Sequence, residues 1–171
     1  MRNLKILLSI AIFSLIIGCG FQMRGAYDIP NAFKVIQIMP FQPYDPLQRA
    51  LRQSLKSNQV TVVEPSLAKE TGAGTLTLQS QTLNDRVVAY GADGQVNRST
   101  LQFKILYQLS DANGKVVVSN GVVIVERDLT VNPNAVLATD GERAYITTQL
   151  IRDAADRLLW QLSTIPEKHS P

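Results

Sequence analysis

The chain carries few residues that could perform catalytic chemistry. It contains one cysteine, Cys19, and one histidine, His169, near opposite ends of its 171 residues. A lone cysteine cannot close a disulfide within the chain, a lone histidine cannot supply a multi-histidine metal site, and their separation disfavours a Cys–His nucleophilic pair. Carboxylates are scattered singly, and the Gly-Ala-Gly segment at 72–74 lacks the lysine of a phosphate-binding loop. We therefore expect no enzyme, no metal site and no bound cofactor.

Cys19 does fit one kind of covalent chemistry, which is lipidation. A short basic opening is followed by twelve mostly apolar residues at positions 6–17. A helix needs about 20 apolar residues to cross a bilayer, whereas the core of a secretory signal peptide needs about 7–15. Residues 15–19, Leu-Ile-Ile-Gly-Cys, resemble the bacterial lipobox, in which the cysteine becomes the lipidated first residue. We therefore predict a signal peptide over residues 1–18 and a lipid anchor on Cys19.

The lipobox resemblance also implies a location. It implies that Cys19 carries diacylglycerol and an N-terminal acyl chain, and three chains together hold a protein stably on a bilayer. The next residue is Gly20, not the aspartate that typically retains such lipoproteins at the inner membrane. We therefore expect the protein on the periplasmic side of the outer membrane.

The charge balance gives no argument for nucleic-acid binding. The whole chain has 17 basic and 14 acidic residues and a net charge of +3. Two of the cations, Arg2 and Lys5, lie in the predicted signal peptide, which has no acids, so the remainder carries 15 cations against 14 acids. A nearly neutral domain lacks the basic patch that a phosphate backbone requires. We expect no nucleic-acid partner.

The first half of the mature chain predicts a strand–helix–strand unit. Residues 33–39 and 59–63 have the β-branched composition of strands. Between them, Asp45 and Pro46 are the types favoured at the N-cap and first position of a helix, so we predict a helix to about Ser57. At 100° per residue its leucines and its cations fall on opposite faces. The basic face fits either a solvated helix surface or an anion-contacting one, and its residues are Arg49, Arg52 and Lys56.

The middle of the chain predicts three consecutive antiparallel strands. The first covers 75–90, with a bulge or bend at its polar stretch 84–86, and the third covers 115–128, with a bulge at Gly121. Glycine-containing turns at 91–94 and 111–114 flank the middle strand. That strand alternates regularly, and one of its faces consists of Leu101, Phe103, Ile105, Tyr107 and Leu109. Its other face is polar apart from Leu106, which makes Leu106 a candidate partner contact.

A long helix is predicted at the end of the domain. We expect residues 132–140 to form a loop or a frayed helix start, and residues 141–164 to be helical. A stripe within about 60° of Ile151 would pack on the sheet, and it comprises Ala144, Thr147, Ala154, Ala155, Leu158 and Leu162. Trp160, the only tryptophan, lies on the opposite side of this helix. Since aromatic side chains dominate interface energetics, Trp160 is a second candidate partner contact.

Together these elements predict the fold class and the segment limits. The fold class is α+β, a two-layer arrangement with two helices packed on one face of a mixed, mostly antiparallel sheet. We predict a signal peptide at 1–18, a lipidated tether at 19–31, a single domain at 32–165 and a flexible tail at 166–171. A mature chain of about 150 residues can bury enough surface for one core without disulfides.

Several segments resemble one family of bacterial lipoproteins. The mature start at 19–25, Cys-Gly-Phe-Gln-Met-Arg-Gly, is similar to that of the LptE (RlpB) family of lipopolysaccharide-assembly lipoproteins. Further similarities lie at 46–52 on the first helix, at 132–133 and 135–140 before the last helix, and at 153–158 within it. Their order follows that of the predicted elements, and they span nearly the whole chain.

This resemblance implies a function without catalysis. It implies a plug inside LptD, a large outer-membrane β-barrel, at one copy per barrel, which assists barrel assembly and the delivery of lipopolysaccharide to the outer leaflet. Family members are expected to contact lipopolysaccharide through basic residues near the hairpin tip and near the start of the last helix. This chain has Gly91, Asp93 and Gly94 at that tip. The nearest cations, which become the candidate lipopolysaccharide contacts, are Arg86, Arg98 and Arg143.

A second hypothesis belongs to another functional class. The basic face of the first helix would also suit a stand-alone periplasmic lipid-binding or carrier lipoprotein that works without a barrel. In that case the isolated domain would bind lipopolysaccharide, and replacing Arg49, Arg52 and Lys56 by glutamate would abolish the binding.

Overall fold

Two helices and five strands form two layers in a computed structural model that describes residues 27–132 and 134–166. After a 3-10 turn at Asn31–Phe33 come β1 (Val35–Met39), α1 (Pro46–Ser57), β2 (Thr61–Val63), β3 (Gly74–Tyr90), β4 (Val96–Ser110), β5 (Val116–Thr130) and α2 (Val136–Ser163). The predicted signal peptide, Cys19, most of the predicted tether and residues 167–171 with His169 lie outside the described residues. Predictions about them stay predictions.

The five strands form one mixed sheet in the order β2-β1-β3-β4-β5. β1 runs parallel to both β2 and β3, while β3, β4 and β5 are antiparallel to one another. Apolar side chains of both helices join those of one sheet face in a single core. We call that face of the sheet the inner face and the opposite one the outer face. The predicted fold class, two helices on one face of a mixed, mostly antiparallel sheet, is confirmed.

Helix α1 begins where the sequence predicts. The backbone N–H of Gln48 donates to Asp45 Oδ1 at 2.9 Å, and Pro46 occupies the first helical position. This cap satisfies one of the N–H groups that the first turn leaves without a helical acceptor. Helix α1 buries its leucines, which are Leu47, Leu51 and Leu55.

The predicted meander is confirmed, and the ladder irregularity predicted at 84–86 lies elsewhere in β3. Residues 84–86 pair regularly with β4, and the ladder shifts instead between Leu78 and Ser80 and between Val87 and Tyr90. The polar stretch continues the strand because Asp85 finds a partner across the layer interface, in an ion pair with Arg143 of α2. Both hairpin turns place a glycine at positive φ, Gly94 at 76° and Gly114 at 79°, which side chains other than glycine rarely adopt.

Close packing against the Tyr107 ring explains why residue 121 is a glycine. It lies opposite Tyr107, and the β4–β5 ladder shifts immediately beyond this pair. A β-carbon on residue 121 would lie 2.6 Å from Tyr107 Cε2 and closer still to two other ring atoms. Glycine is therefore the residue that lets the buried ring lie against the β5 backbone.

Helix α2 starts earlier than predicted, and the predicted buried stripe is confirmed at Ala154, Ala155, Leu158 and Leu162. It begins at Val136, before Gly141, and the Thr139 side chain ties its first turn to the preceding loop by accepting from the backbone N–H of Asn132 at 3.2 Å. Ala144 is exposed, while Thr147 and Ile151 are half-buried. The larger aliphatic side chains decide which side faces the core, and the buried apolar positions are Ile146, Leu150, Ala154, Ala155, Leu158, Leu159 and Leu162.

Residues 27–31, which the sequence assigned to the tether, pack against the domain. Ile29 is only 1% exposed and belongs to the core. The backbone N–H of Tyr27 donates to Asn58 Oδ1 at 2.6 Å, which fixes this segment next to the end of α1. Ile29 and Phe33 are both buried. Burying these apolar side chains is more favourable than leaving them in water, and this holds the segment against the domain.

Candidate interaction surfaces

The outer face of the sheet carries an apolar patch around Leu106. Leu106 is half-buried and lies directly opposite Val122 of β5 and Ser80 of β3. Ile124 is two residues further along β5, and both it and Val122 are exposed. The sequence singled out Leu106 but missed its two neighbours. Because β5 is apolar on both faces at this point, it offers no alternation from which the outward pair could be recognised.

Toward the start of β4, the outer face carries polar side chains that form hydrogen bonds across to β5. Thr100 Oγ1 donates to Asp128 Oδ1 at 2.8 Å, and the Gln102 side chain donates to Glu126. These cross-strand pairs border the apolar patch on one side. The outer face can therefore make both apolar and polar contacts with a partner.

Two of the three candidate lipopolysaccharide contacts share this outer face. Arg86 lies opposite Thr100, and Arg98 precedes Thr100 by two residues in β4. Their sequence neighbours Asp85 and Ser99 face the helices, so the alternation of a strand turns both arginines outward. Both arginines are exposed.

The third candidate, Arg143, lies on the other side of the sheet. It forms an ion pair with Asp85 on the inner face, and more than a third of each side chain is exposed. Partial burial acts to raise the pKa of Asp85, but the hydrogen bond and charge of Arg143 together with the nearby Ser99 hydroxyl outweigh it and hold that pKa below its usual value. The sheet therefore separates Arg143 from Arg86 and Arg98, and the three cannot contact one phosphate group together.

Trp160 points away from the core, on the helix layer. Its side chain is 49% exposed, and the guanidinium carbon of Arg157 lies 5.8 Å from its ring centroid. The sequence located Trp160 but not Arg157, although a spacing of three residues on a helix places the two side chains together. Helix α2 exposes three further large apolar side chains, those of Val136, Leu137 and Tyr145.

A groove of about 1250 Å³ separates α1 from α2. Its lining is half polar and includes Arg49, Ser54, Arg152 and Asp156. Ser54 Oγ donates to Asp156 Oδ1 at 2.8 Å and links the two helices. Arg49 and Lys56 of the predicted basic face are exposed, whereas Arg52 is half-buried beside Phe41.

Neither a metal centre nor a spanning helix is found in the described parts of the chain. Residues 27–132 and 134–166 hold no group of three histidine, cysteine or acidic side chains arranged to bind a metal ion. No helix in the same ranges is long and apolar enough to cross a membrane.

Comparisons with known proteins agree on one family. Residues 33–162 match the family model described as LptE, lipopolysaccharide-assembly. The chain is 32% identical over 169 residues to the LPS-assembly lipoprotein LptE of Photorhabdus laumondii, covering 96% of this chain and 87% of that protein. It is 27% identical over 164 residues to LPS-assembly lipoprotein LptE of Yersinia pestis strain Pestoides F, covering 96% and 77%.

Two solved structures that share this fold are described as lipoproteins. The rare lipoprotein B of Shewanella oneidensis aligns with a TM-score of 0.65 at 19% identity, covering 76% of this chain and 94% of that one. An uncharacterised lipoprotein B of Nitrosomonas europaea aligns with a TM-score of 0.67 at 20% identity, covering 84% and 90%. At these identities the likeness concerns the fold alone.

Proposed function

The chain belongs to the LptE family of lipopolysaccharide-assembly lipoproteins, and we propose that it acts as the plug of an LptD-type outer-membrane β-barrel. In this role it is anchored through Cys19 to the periplasmic side of the outer membrane and fills the barrel lumen at one copy per barrel. It assists barrel assembly and the delivery of lipopolysaccharide to the outer leaflet. The role needs binding surfaces and no catalysis.

The observation that supports this proposal is apolar exposure on both layers of the domain. Val122 and Ile124 are exposed on the outer face of the sheet, and Tyr145 and Trp160 on the helix layer. Single exposed apolar residues are normal on a monomer. Their presence on opposite sides of a two-layer domain fits a protein that a partner surrounds, because surfaces that would face water then become interface.

The polar part of the outer face fits the same environment. The interior of an outer-membrane barrel is polar, and its wall supplies hydrogen-bonding side chains along every strand. Arg86 and Arg98 lie next to the hydrogen-bonded Thr100–Asp128 pair on that face. We propose that these two arginines meet either the barrel wall or lipopolysaccharide phosphate, and that Arg143, which is held by Asp85, acts separately from them.

Co-purification tests the proposal directly. An affinity-tagged copy, expressed with its lipobox intact beside the barrel from the same cell, is extracted from outer membranes in mild detergent. We expect one large β-barrel subunit at a 1:1 ratio by quantitative mass analysis. Recovery of the lipoprotein without a barrel would contradict the proposal.

A matched pair of variants sharpens the test. The double variant Val122→Arg and Trp160→Arg places charges on both apolar surfaces, and we expect it to recover markedly less barrel. The control Leu67→Arg changes a side chain that is also 49% exposed but lies in the loop between β2 and β3. Equal losses in the two variants would show that the chosen surfaces are not the interface.

The stand-alone carrier remains the second candidate because of the basic face of α1. A carrier must enclose acyl chains, and ligand sites for such groups are deep and mostly apolar. The groove between α1 and α2 is open and half polar. Tight binding of lipopolysaccharide by the mature chain alone, lost when Arg49, Arg52 and Lys56 become glutamate, would favour the carrier over the plug.

A further inference from the structure

We propose that the loop between β1 and α1, with the adjoining basic side of α1, is the surface that receives an acidic polypeptide segment of the barrel. This inference rests on the proposed function and assigns a contact chemistry to one part of the plug. We call the surface the α1 surface, and it consists of Phe41, Tyr44, Arg49, Arg52 and Lys56.

The loop that carries the two aromatic residues is held in place by side chains beneath it. Gln48 is buried, and its Nε2 donates to the carbonyl oxygen of Pro40 at 2.7 Å while its Oε1 accepts from the backbone N–H of Gln42 at 3.1 Å. Asp45 Oδ2 accepts from Gln81 Nε2 at 2.8 Å, which ties the end of the loop to β3. A loop fixed in this way loses little conformational entropy on binding.

The fixed loop presents its aromatic side chains to the outside. Tyr44 is 90% exposed and Phe41 is 40% exposed, although rings of this size are usually buried. Exposed aromatic groups on a preorganised loop are typical of the few residues that dominate a protein–protein interface.

Arg52 has hydrogen-bonding capacity that nothing within the described residues uses. Its guanidinium carbon lies 5.3 Å from the Phe41 ring centroid, in the range of a cation–π contact. Its Nε and Nη2 atoms are buried and have no hydrogen-bond acceptor. These two N–H groups form the edge that binds a carboxylate in a bidentate manner.

The cations of the α1 surface have no ion-pair partner within the described residues, although Asp156 lines the same groove as Arg49. Helix α1 contains no acidic residue, and neither Arg49 nor Lys56 forms an ion pair within the described residues. Asp45 has the spacing for a pair with Arg49, four residues on, but its two carboxylate oxygens accept from Gln48 and Gln81. Charge complementarity therefore calls for an acidic occupant.

A polypeptide fits the α1 surface better than an anionic lipid headgroup. Clusters that recognise anionic lipids typically gather about 4–8 lysines and arginines, whereas α1 has three cations. The combination of tyrosine, phenylalanine and arginine is the one enriched in protein–protein hot spots. We therefore assign the occupant to an Asp- or Glu-bearing segment of the barrel.

Photocrosslinking of the intact complex in cells tests this assignment. Benzoylphenylalanine replaces Tyr44 in one strain and Val122 in a second, and each adduct is identified by mass spectrometry. We expect the adduct from position 44 to map to a barrel peptide that contains an acidic residue. The double variant Arg52→Gln and Lys56→Gln should reduce this adduct about tenfold and leave the adduct from position 122 unchanged.

A matched variant controls for charge alone. The double variant Lys69→Gln and Lys115→Gln removes two exposed cations outside the α1 surface, and we expect it to leave both adducts unchanged. Thermal melting of each purified variant verifies that it folds before the yields are compared.

The possible outcomes separate this inference from the proposed function. A barrel adduct from position 122 without one from position 44 would overturn the inference and leave the plug standing. The inference would also be overturned if position 44 gave a glycolipid adduct or a barrel peptide without an acidic residue. It would be overturned as well if removing the charges of Arg52 and Lys56 left the yield of the adduct unchanged. If neither position gave a barrel adduct, both the inference and the proposed function would be overturned.

Discussion

Replacing Gly121 by alanine should destabilise the domain, because residue 121 lies against the Tyr107 ring. The added β-carbon would lie 2.6 Å from Tyr107 Cε2, well inside contact distance. The ring cannot easily retreat, since it is buried in the core and its hydroxyl donates to Gln161 Oε1 at 3.0 Å. Overpacking of this kind costs about 2–3 kcal/mol, which should lower the Tm by about 5–10 °C for a domain of this size.

The assay is thermal and urea denaturation of the mature chain with Cys19 replaced by serine, followed by circular dichroism. The matched control is Gly141→Ala on α2, where an added β-carbon meets no atom within 4 Å. There alanine should stabilise by about 0.5–1 kcal/mol, because it favours the helix. The same substitution thus has opposite signs at the two sites.

A second background isolates the steric cause. Tyr107→Leu removes the ring atoms that the new β-carbon would meet, so Gly121→Ala should cost less than about 0.5 kcal/mol in that background. A Gly121→Ala protein as stable as the parent, or one equally destabilised with Leu at 107, would refute the packing argument.

Three further predictions concern the ion pair, the buried hydroxyl and the anchor. Arg143→Met should cost about 0.5 kcal/mol at neutral pH, because the pair with Asp85 is partly solvated. The pKa of Asp85 is lowered in the folded state, so the ion pair stabilises the domain above the unfolded pKa of about 4. In urea titrations the difference between the parent and Arg143→Met should vanish as the pH falls below that value. A difference that does not depend on pH would contradict the ion-pair explanation. Tyr107→Phe should cost about 1 kcal/mol through the lost bond to Gln161. Burial raises the pKa of Tyr107, so the folded state favours the neutral phenol. The stability that this provides is present below a pH of about 10 and is lost as the pH rises further. In alkaline denaturation the parent should therefore lose more free energy of unfolding than the phenylalanine variant. Cys19→Ser should abolish incorporation of labelled palmitate and release the protein from the outer-membrane fraction, and retention of either would disprove the anchor.

Features fixed by neighbouring residues could be predicted from the sequence. The Asp45–Pro46 pair located the start of α1 because its hydrogen bond reaches only to Gln48, three residues away. The alternation from Leu101 to Leu109 gave the buried face of β4, since a strand turns every second side chain to the same side. The mixed sheet followed from these local elements and their short connections.

Features fixed by distant residues could not be predicted. Asp85 stays in a regular strand because of Arg143, which is 58 positions away in the chain. That same ion pair places Arg143 on the helix side, opposite Arg86 and Arg98, a separation that linear order does not contain. Likewise, the sequence predicted a bulge at Gly121, next to which the ladder does shift, but the packing of residue 121 against the Tyr107 ring is visible only in the folded structure.

Photocrosslinking from two opposite positions in living cells shows whether a barrel encloses the domain from both layers. Ile124 reports from the outer face of the sheet and Trp160 from the helix layer. We expect both positions to form adducts with the same large β-barrel protein. Adducts with two unrelated proteins, with lipid alone, or with the barrel from only one side would contradict enclosure by a barrel.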